Sequence, residues 1–213
     1  MTRLQDLIEG YWRFRDTAWK RERDRWSKLA DGQNPRVMVL ACSDSRVDPS
    51  QIFDARPGQM FVVRNVANLA PPFETTGGYH GVSAALEFAV TQLEVADILV
   101  MGHGSCGGCS AALTGQFDHA EHGEGHFIAA WVDMLDDARA KVRARHKTLD
   151  QAAFQAMEWE SVKVSLANLR TFPFIPPREA VGTLALHGGY FAIADGQLHL
   201  LDQETGTFAP AAA

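Results

Sequence analysis

The chain has 213 residues, of which 46% are hydrophobic and 22% charged, and its formal net charge at pH 7 is −6. These values are typical of one globular domain that buries a sizeable core without disulfides. The acidic balance argues against a nucleic-acid surface, which needs a basic face. The amino end lacks an apolar signal-peptide core, and no run approaches the ~18 to 20 apolar residues of a membrane span. We therefore expect a cytoplasmic protein that binds neither nucleic acid nor membrane.

The first thirty residues form a distinct segment, rich in helix formers and free of proline. Trp12, Trp19 and Trp26 recur every seven residues, and an ideal helix drifts only about 20° per heptad. The spacing therefore predicts an amphipathic helix with three indoles on one face. Its docking surface is either its own domain or a second subunit, which we favour because terminal arms often wrap partners in symmetric oligomers. The predicted division is a helical arm over residues 1–30 and one α/β domain over 31–213.

Beyond the arm, apolar runs of strand length alternate with segments of helical periodicity. The predicted strands are residues 37–41, 60–63, 97–101, 184–186, 190–193 and 198–201, and the predicted helices are 81–93, 127–145 and 149–169. Alternation of strand and helix predicts an α/β fold, a single domain with a mainly parallel central sheet flanked by helices. A mobile tail is predicted over residues 207–213.

Three candidate metal ligands follow two of the predicted strands. Cys42 comes directly after the run VMVLA, and His103 comes after ILVMG, with Cys106 three residues later. The carboxyl ends of parallel strands form the crevice where open α/β sheets bind ligands. Zinc prefers thiolate and imidazole ligands, and a catalytic zinc keeps three protein ligands and one open position. A buried cysteine alone is usually inert, but the combined pattern predicts one catalytic zinc ion per chain.

Asp44 and Arg46 lie in the loop after the first candidate ligand, in the stretch CSDSR. A guanidinium offers a planar fork that matches a carboxylate. One interpretation of this pair is a salt bridge that stabilises the loop. The other is a pair that serves a reaction at the metal, and the two roles are compatible.

The blocks CSDSRVDP, FVVRNVAN, ALEFAV and GHGSCGG resemble, in order and spacing, the motifs of the β-class carbonic anhydrases, over about residues 33–201. The resemblance implies zinc-dependent, reversible hydration of carbon dioxide to bicarbonate by attack of zinc-bound hydroxide, in homodimers or dimers of dimers. It implies that the zinc ligands are Cys42, His103 and Cys106. It further implies that Asp44 and Arg46 are catalytic, with Asp44 as a conditional fourth ligand only when Arg46 releases it.

The resemblance also indicates a subclass and a substrate pocket. Some bacterial members carry tryptophan three residues before the first zinc cysteine, whereas this chain has Val39, which points to the plant-like, open-site subclass. Carbon dioxide is apolar, so a small hydrophobic chamber with one amide donor suits it. The positions similar to the family's substrate-binding residues are Gln33, Phe61, Val66, Phe88 and Gly107.

Two other functions stay open at this point. One is a related zinc hydrolase that acts on carbon disulfide or carbonyl sulfide, and the other is a non-catalytic interaction module stabilised by zinc. Asp44 and Arg46 discriminate against the module, since a structural zinc needs neither. The three histidines of the loop over residues 117–126 are interpreted as a solvated acidic loop. Cys109 is not expected to bind the zinc, because a fourth protein ligand would leave no place for water.

Overall fold

The computed structural model describes residues 3–76 and 78–212. The helices are α1 Leu4–Phe14, α2 Arg23–Ala30, α3 Pro49–Ile52, α4 Gly81–Glu87, α5 Gly107–Thr114, α6 His126–Val132, α7 Asp136–Arg145, α8 Gln151–Leu169 and α9 Pro176–Ala180. The strands are β1 Val37–Cys42, β2 Met60–Asn65, β3 Asp97–His103, β4 Ala185–Ala192, β5 Gln197–Asp202 and β6 Thr207–Pro210. These residues fall into two compact units that divide between Asn34 and Pro35.

The second unit is built on one six-stranded sheet in the order β2-β1-β3-β4-β5-β6. The first four strands in that order are parallel, and β5 and β6 are antiparallel additions. Parallel neighbours need long crossovers, which the helices provide. The prediction of a mainly parallel sheet flanked by helices is confirmed, and the carboxyl ends of β1 and β3 lie side by side at the centre of the sheet.

Helix α8 connects the sheet to the loops at this edge, because it packs on β3, β4 and α5. Val162 of α8 is fully buried and lies where a Cβ on Gly102 would come within 2.8 Å of its Cγ2. Only glycine permits this close approach of strand and helix. The helix is thereby fixed against the backbone that leads into His103. None of the described helices is long and apolar enough to cross a bilayer.

The first unit is helical, but its helix is interrupted. A π-helical turn over Arg15–Trp19 separates α1 from the rest, and Glu22 leaves the helical conformation before α2 begins. The Thr17 hydroxyl donates to the Arg13 carbonyl, a side-chain bond that competes with the helical ladder. A π turn adds one residue, which rotates everything after it. The spacing of a regular helix therefore does not extend across this turn, and Trp26 packs edge-on against Phe14 at 5.7 Å.

The carboxyl-terminal region also differs from expectation. The sequence predicts separate strands over residues 184–186 and 190–193, yet β4 runs without a break through the glycine pair between them. Gly188 packs closely against Leu201, since a Cβ on this glycine would lie 2.9 Å from the Leu201 Cβ. The tail predicted as mobile contains strand β6, whose residues pair with β5. Phe208 stacks on Trp159 of α8 at 5.2 Å, and this apolar contact holds the tail on the sheet.

Candidate metal centre

The three predicted ligands meet at the carboxyl edge of the sheet. Cys42 is the last residue of β1, His103 is the last residue of β3, and Cys106 is the N-cap residue of α5. In the register of the two strands Ala41 lies opposite Met101, which puts Cys42 and His103 on adjacent strand ends. All three side chains are buried. Ser105 takes the left-handed conformation with φ 57°. This turns the loop back after β3, so that Cys106 lies beside the other two ligands.

The distances suit a tetrahedral ion. Ligand atoms of the three residues all lie within 4.8 Å of one another, and the Cys42 and Cys106 Sγ atoms are 3.9 Å apart. Two sulfurs bound to one zinc at about 2.3 Å in tetrahedral geometry stand about 3.8 Å apart. The observed separation is far longer than a disulfide bond, and it matches two thiolates that share one metal.

His103 is oriented as a metal ligand by its own backbone. Its Nδ1 lies 2.9 Å from the Gly104 carbonyl, so the Nδ1–H tautomer donates there and leaves the Nε2 lone pair free. Nε2 is buried and has no hydrogen-bond partner within the described residues. A buried polar atom without a partner is costly, and a bound cation resolves this cost. This orphaned nitrogen is the strongest sign that the site holds a metal.

The electrostatics of the two ligand cysteines lead to the same conclusion. The neighbouring Cys106 thiol, followed by burial, raises the pKa of Cys42 to about 12. The Cys109 thiol, with burial also contributing, raises the pKa of Cys106. Two buried thiols side by side cannot both ionise without a compensating positive charge. A divalent zinc ion supplies that charge, so the donor set fits zinc.

Asp44 stands beside the ligands but is held by Arg46. The Arg46 Nε and Nη2 donate to Asp44 Oδ1 and Oδ2 at 2.9 and 2.7 Å, and the Arg46 backbone N–H donates to Oδ1 at 3.0 Å. The Arg46 side chain accordingly holds the pKa of Asp44 well below its usual range. Asp44 Oδ2 lies 3.9 Å from His103 Nε2. The carboxylate is therefore ionised next to the metal position while both of its oxygens are occupied by one guanidinium.

Arg64 of β2 contributes to this loop and was missed in the sequence. Its Nη2 donates to the Asp44 carbonyl at 2.6 Å, its Nε to the Cys42 carbonyl at 2.9 Å, and its Nη1 to Asp48 Oδ2 at 3.1 Å. A single guanidinium thus spans the loop from the first ligand to α3. The only signal was a charged residue in a mainly apolar strand segment, MFVVRN.

The predicted pocket residues fall into separate groups. Val66 lies against the start of α5, where a Cβ on Gly108 would meet its Cγ1 at 2.7 Å, so it neighbours Gly107. Phe61 and Phe88 pack together with ring centroids 6.0 Å apart. Phe61 pairs with Met38, four residues before Cys42 in β1, which is roughly 13 Å along the strand. The two rings therefore sit away from the triad of their own chain. Gln33 is exposed in the first unit.

Two features that the sequence analysis set aside lie outside the triad. Over residues 3–76 and 78–212 the triad is the one group of three close metal-ligating side chains. The loop histidines do not add a second such group, although His122 and His126 lie with ring centroids 4.1 Å apart. Cys109 is a buried free thiol on α5, outside the triad.

A comparison with known proteins identifies the family to which this chain is similar. A family profile described as carbonic anhydrase matches residues 37–198. The chain is 34% identical over 207 residues to beta carbonic anhydrase 3 of Arabidopsis thaliana, which covers 96% of this chain and 79% of the relative.

Several solved structures are also similar to this chain. The β-carbonic anhydrase CcaA has a TM-score of 0.90 at 31% identity, covering 99% of this chain and 92% of that one. A Coccomyxa β-carbonic anhydrase in complex with acetazolamide has a TM-score of 0.81 at 28% identity, covering 94% and 87%. A tetrameric β-carbonic anhydrase of Sordaria macrospora has a TM-score of 0.77 at 25% identity, covering 97% of each chain.

Proposed function

The chain belongs to the β-class carbonic anhydrase family and is a carbonate dehydratase, and we propose that it works in the open, plant-like form, with Asp44 held off the metal by Arg46. The observation that carries this proposal is the three-bond clasp of Arg46 on Asp44, next to an unpartnered His103 Nε2. Support for the subclass comes from buried Val39 in β1, at the position where some bacterial members carry tryptophan.

Each residue of the site has a distinct task in this form. Cys42, His103 and Cys106 would hold a zinc ion, which would supply a Lewis acid that lets a water molecule ionise near neutral pH. Asp44 can accept a hydrogen bond from that water, which directs an oxygen lone pair toward carbon dioxide. A bond from water oxygen to carbon forms bicarbonate, and one proton leaves. Arg46 holds Asp44 away from the metal, because a carboxylate gripped on both oxygens by a guanidinium is a poor metal ligand. Oδ2 accepts only one of these hydrogen bonds, so it can still accept one from the water.

The placement of the pocket residues supports a homodimer. Phe61 lies roughly four strand residues away from the level of the triad in its own chain. Phe88 packs against Phe61, and 45% of Phe88 is exposed. We infer that this ring pair faces the metal centre of a second subunit and supplies the apolar wall that carbon dioxide needs. Dimers of dimers are compatible with this arrangement. The three free cysteines suit a reducing compartment, which supports a cytoplasmic location.

Stopped-flow hydration of carbon dioxide, with zinc measured in the same sample, tests the open form. We expect full activity near neutral pH at one zinc per chain. A neutral-pH crystal structure with an Asp44 oxygen bonded to zinc would contradict it. Parallel assays on carbon disulfide and carbonyl sulfide separate the anhydrase from a hydrolase of those gases, and turnover of either gas without carbon dioxide hydration would exclude the proposed chemistry.

A further inference from the structure

A buried carboxylate lies behind the metal loop, on the side away from Asp44. Glu158 of α8 is only 4% exposed. Its Oε1 accepts the Cys106 backbone N–H at 3.0 Å, and its Oε2 accepts the Tyr190 hydroxyl at 2.9 Å. Burial raises the pKa of Glu158 above its usual value, and the hydrogen bonds from Cys106, Tyr190 and the Ser105 backbone offset this rise only in part. The side chain thus links a central helix, a central strand and a metal ligand.

Glu158 has no cationic partner among the residues that the structure describes. Burying a carboxylate without a counter-ion is unfavourable unless hydrogen bonds satisfy both oxygens. An apolar residue would fill this position on α8 without that cost. Because a carboxylate at this position does not stabilise the fold, the hydrogen bond that Glu158 accepts from the metal loop requires another explanation.

The peptide between Ser105 and Cys106 is held from both sides. Its carbonyl oxygen accepts Arg46 Nη2 at 3.0 Å, and its N–H donates to Glu158 at 3.0 Å. Ser105 takes φ 57°, a conformation that is unfavourable for a residue with a Cβ. Orientation of this peptide plane determines where the Cys106 side chain points. Two hydrogen bonds at its two ends therefore fix the aim of Sγ toward Cys42 and His103.

We propose that Glu158 is a positioning residue of the metal centre, which orients the Ser105–Cys106 peptide and is itself oriented by Tyr190. It acts as a hydrogen-bond acceptor and does not touch the substrate. Tyr190 is buried on β4, close enough to Gly104 that a Cβ there would lie 3.1 Å from its hydroxyl. This proposal rests on the zinc site of the proposed function. Its test measures the rate of zinc release, which can be measured even if the protein does not hydrate carbon dioxide.

The test compares zinc release from Glu158→Ala and Glu158→Gln holoenzymes to a chromophoric chelator. Alanine removes the acceptor, and we expect release about 10 to 100-fold faster, the usual loss when a group that orients a metal ligand is removed. Glutamine keeps an acceptor oxygen for the Cys106 N–H and an amide that can donate to Tyr190, so it should release zinc at close to the wild-type rate. The cobalt-substituted protein should show altered thiolate charge-transfer bands in the alanine variant and unchanged bands in the glutamine variant.

Ser165→Ala is the matched control. Ser165 is a fully buried polar residue of the same helix that accepts the Ala70 N–H and donates to the Asn68 carbonyl. Its loss should lower the melting temperature without changing zinc release or the cobalt spectrum. Wild-type release from Glu158→Ala, or equal defects in the alanine and glutamine variants, would overturn the proposal. If the alanine variant does not fold, the Tyr190→Phe variant provides the test. Faster zinc release from it would support the link from Tyr190 through Glu158 to Cys106, and release at the wild-type rate would refute that link.

Discussion

At the scale of single residues, Cys106 combines three roles in one position. It is a zinc ligand, the N-cap residue of α5 and the residue that follows the left-handed Ser105. The Cys106→Ser variant replaces a soft thiolate donor by a hydroxyl that does not ionise near neutral pH. We expect less than stoichiometric zinc and a loss of carbon dioxide hydration beyond about 100-fold, the upper range for groups that only orient a ligand. Metal analysis and stopped-flow rates measure both.

Cys109→Ser makes the same atomic change three residues away, at a thiol that is equally buried. Because Cys109 lies outside the triad, this variant should keep its zinc and its activity. An active, zinc-free Cys106→Ser protein would contradict the assigned ligands, and so would a Cys109→Ser protein that loses its metal.

Arg46 differs from the ligands because it controls a neighbour and does not bind the metal. Lysine at this position keeps the charge but loses the fork that engages both Asp44 oxygens. We expect Arg46→Lys to lower kcat/KM for carbon dioxide by about 10 to 100-fold at unchanged zinc content, as for other residues that orient metal-site groups. Stopped-flow kinetics with metal analysis provides the test. Arg21→Lys at an exposed position of the arm is the control, and comparable losses in both variants would argue against a specific role.

At the scale of secondary structure elements, the start of α5 is packed tightly enough to exclude a methyl group. A Cβ on Gly108 would lie 2.7 Å from Val66 Cγ1 and 2.9 Å from Ala67 Cβ. Gly108→Ala should lower the free energy of unfolding by about 1–3 kcal/mol, the usual range for overpacking, although alanine favours helix by up to about 1 kcal/mol. Urea unfolding followed by circular dichroism measures the difference.

The control for this prediction is Gly81→Ala, at the first residue of α4, where a Cβ would meet no atom within 4 Å. Its stability should equal or slightly exceed that of the wild type, because only the helix preference changes. Equal destabilisation by both substitutions would show that glycine is needed at Gly108 for a reason other than contact with the turn at Val66.

Several elements could be predicted from the sequence because their signals are local. The apolar runs that became β1 and β3 end at Cys42 and His103, so the strands and the metal site were indicated by the same residues. The bend in the arm and strand β6 were not predictable in this way. A π turn has no distinct composition, and β6 depends on pairing with β5 and on the stacking of Phe208 on Trp159.

The groups around the ligands were hidden for a related reason. Arg64 and Glu158 bond to backbone atoms 20 and 52 residues away, and a backbone N–H or carbonyl leaves no mark in a sequence. On α8 the weak signal was a set of polar residues, Glu158, Ser161 and Ser165, on the same face as buried apolar ones. Such a face indicates buried hydrogen bonds but does not identify their partners.

At the scale of the whole molecule, each of the two compact units has an apolar surface that is exposed in one chain. Helix α1 has no buried residue, and Leu4 and Leu7 are 73% and 62% exposed. On the second unit, Val62 and Phe88 are also exposed large apolar residues. Exposed apolar surface of this kind is typical of an interaction site, and in the homodimer proposed above a second copy of the chain would cover it and complete the carbon dioxide pocket.

If the proposed homodimer forms through this surface, removal of residues 1–30 should shift it from dimer to monomer, because the apolar face of α1 would contribute buried area at about 25 cal/mol per Å². Analytical ultracentrifugation measures the assembly, and Glu9→Gln, at an exposed polar position of the same helix, is the control that should stay dimeric.

If Phe61 and Phe88 act on the partner's site, the monomer should keep one zinc per chain and lose most of its activity. A fully active monomer would show that each chain forms its own pocket, and a dimer that survives truncation would show that the second unit alone holds the subunits together.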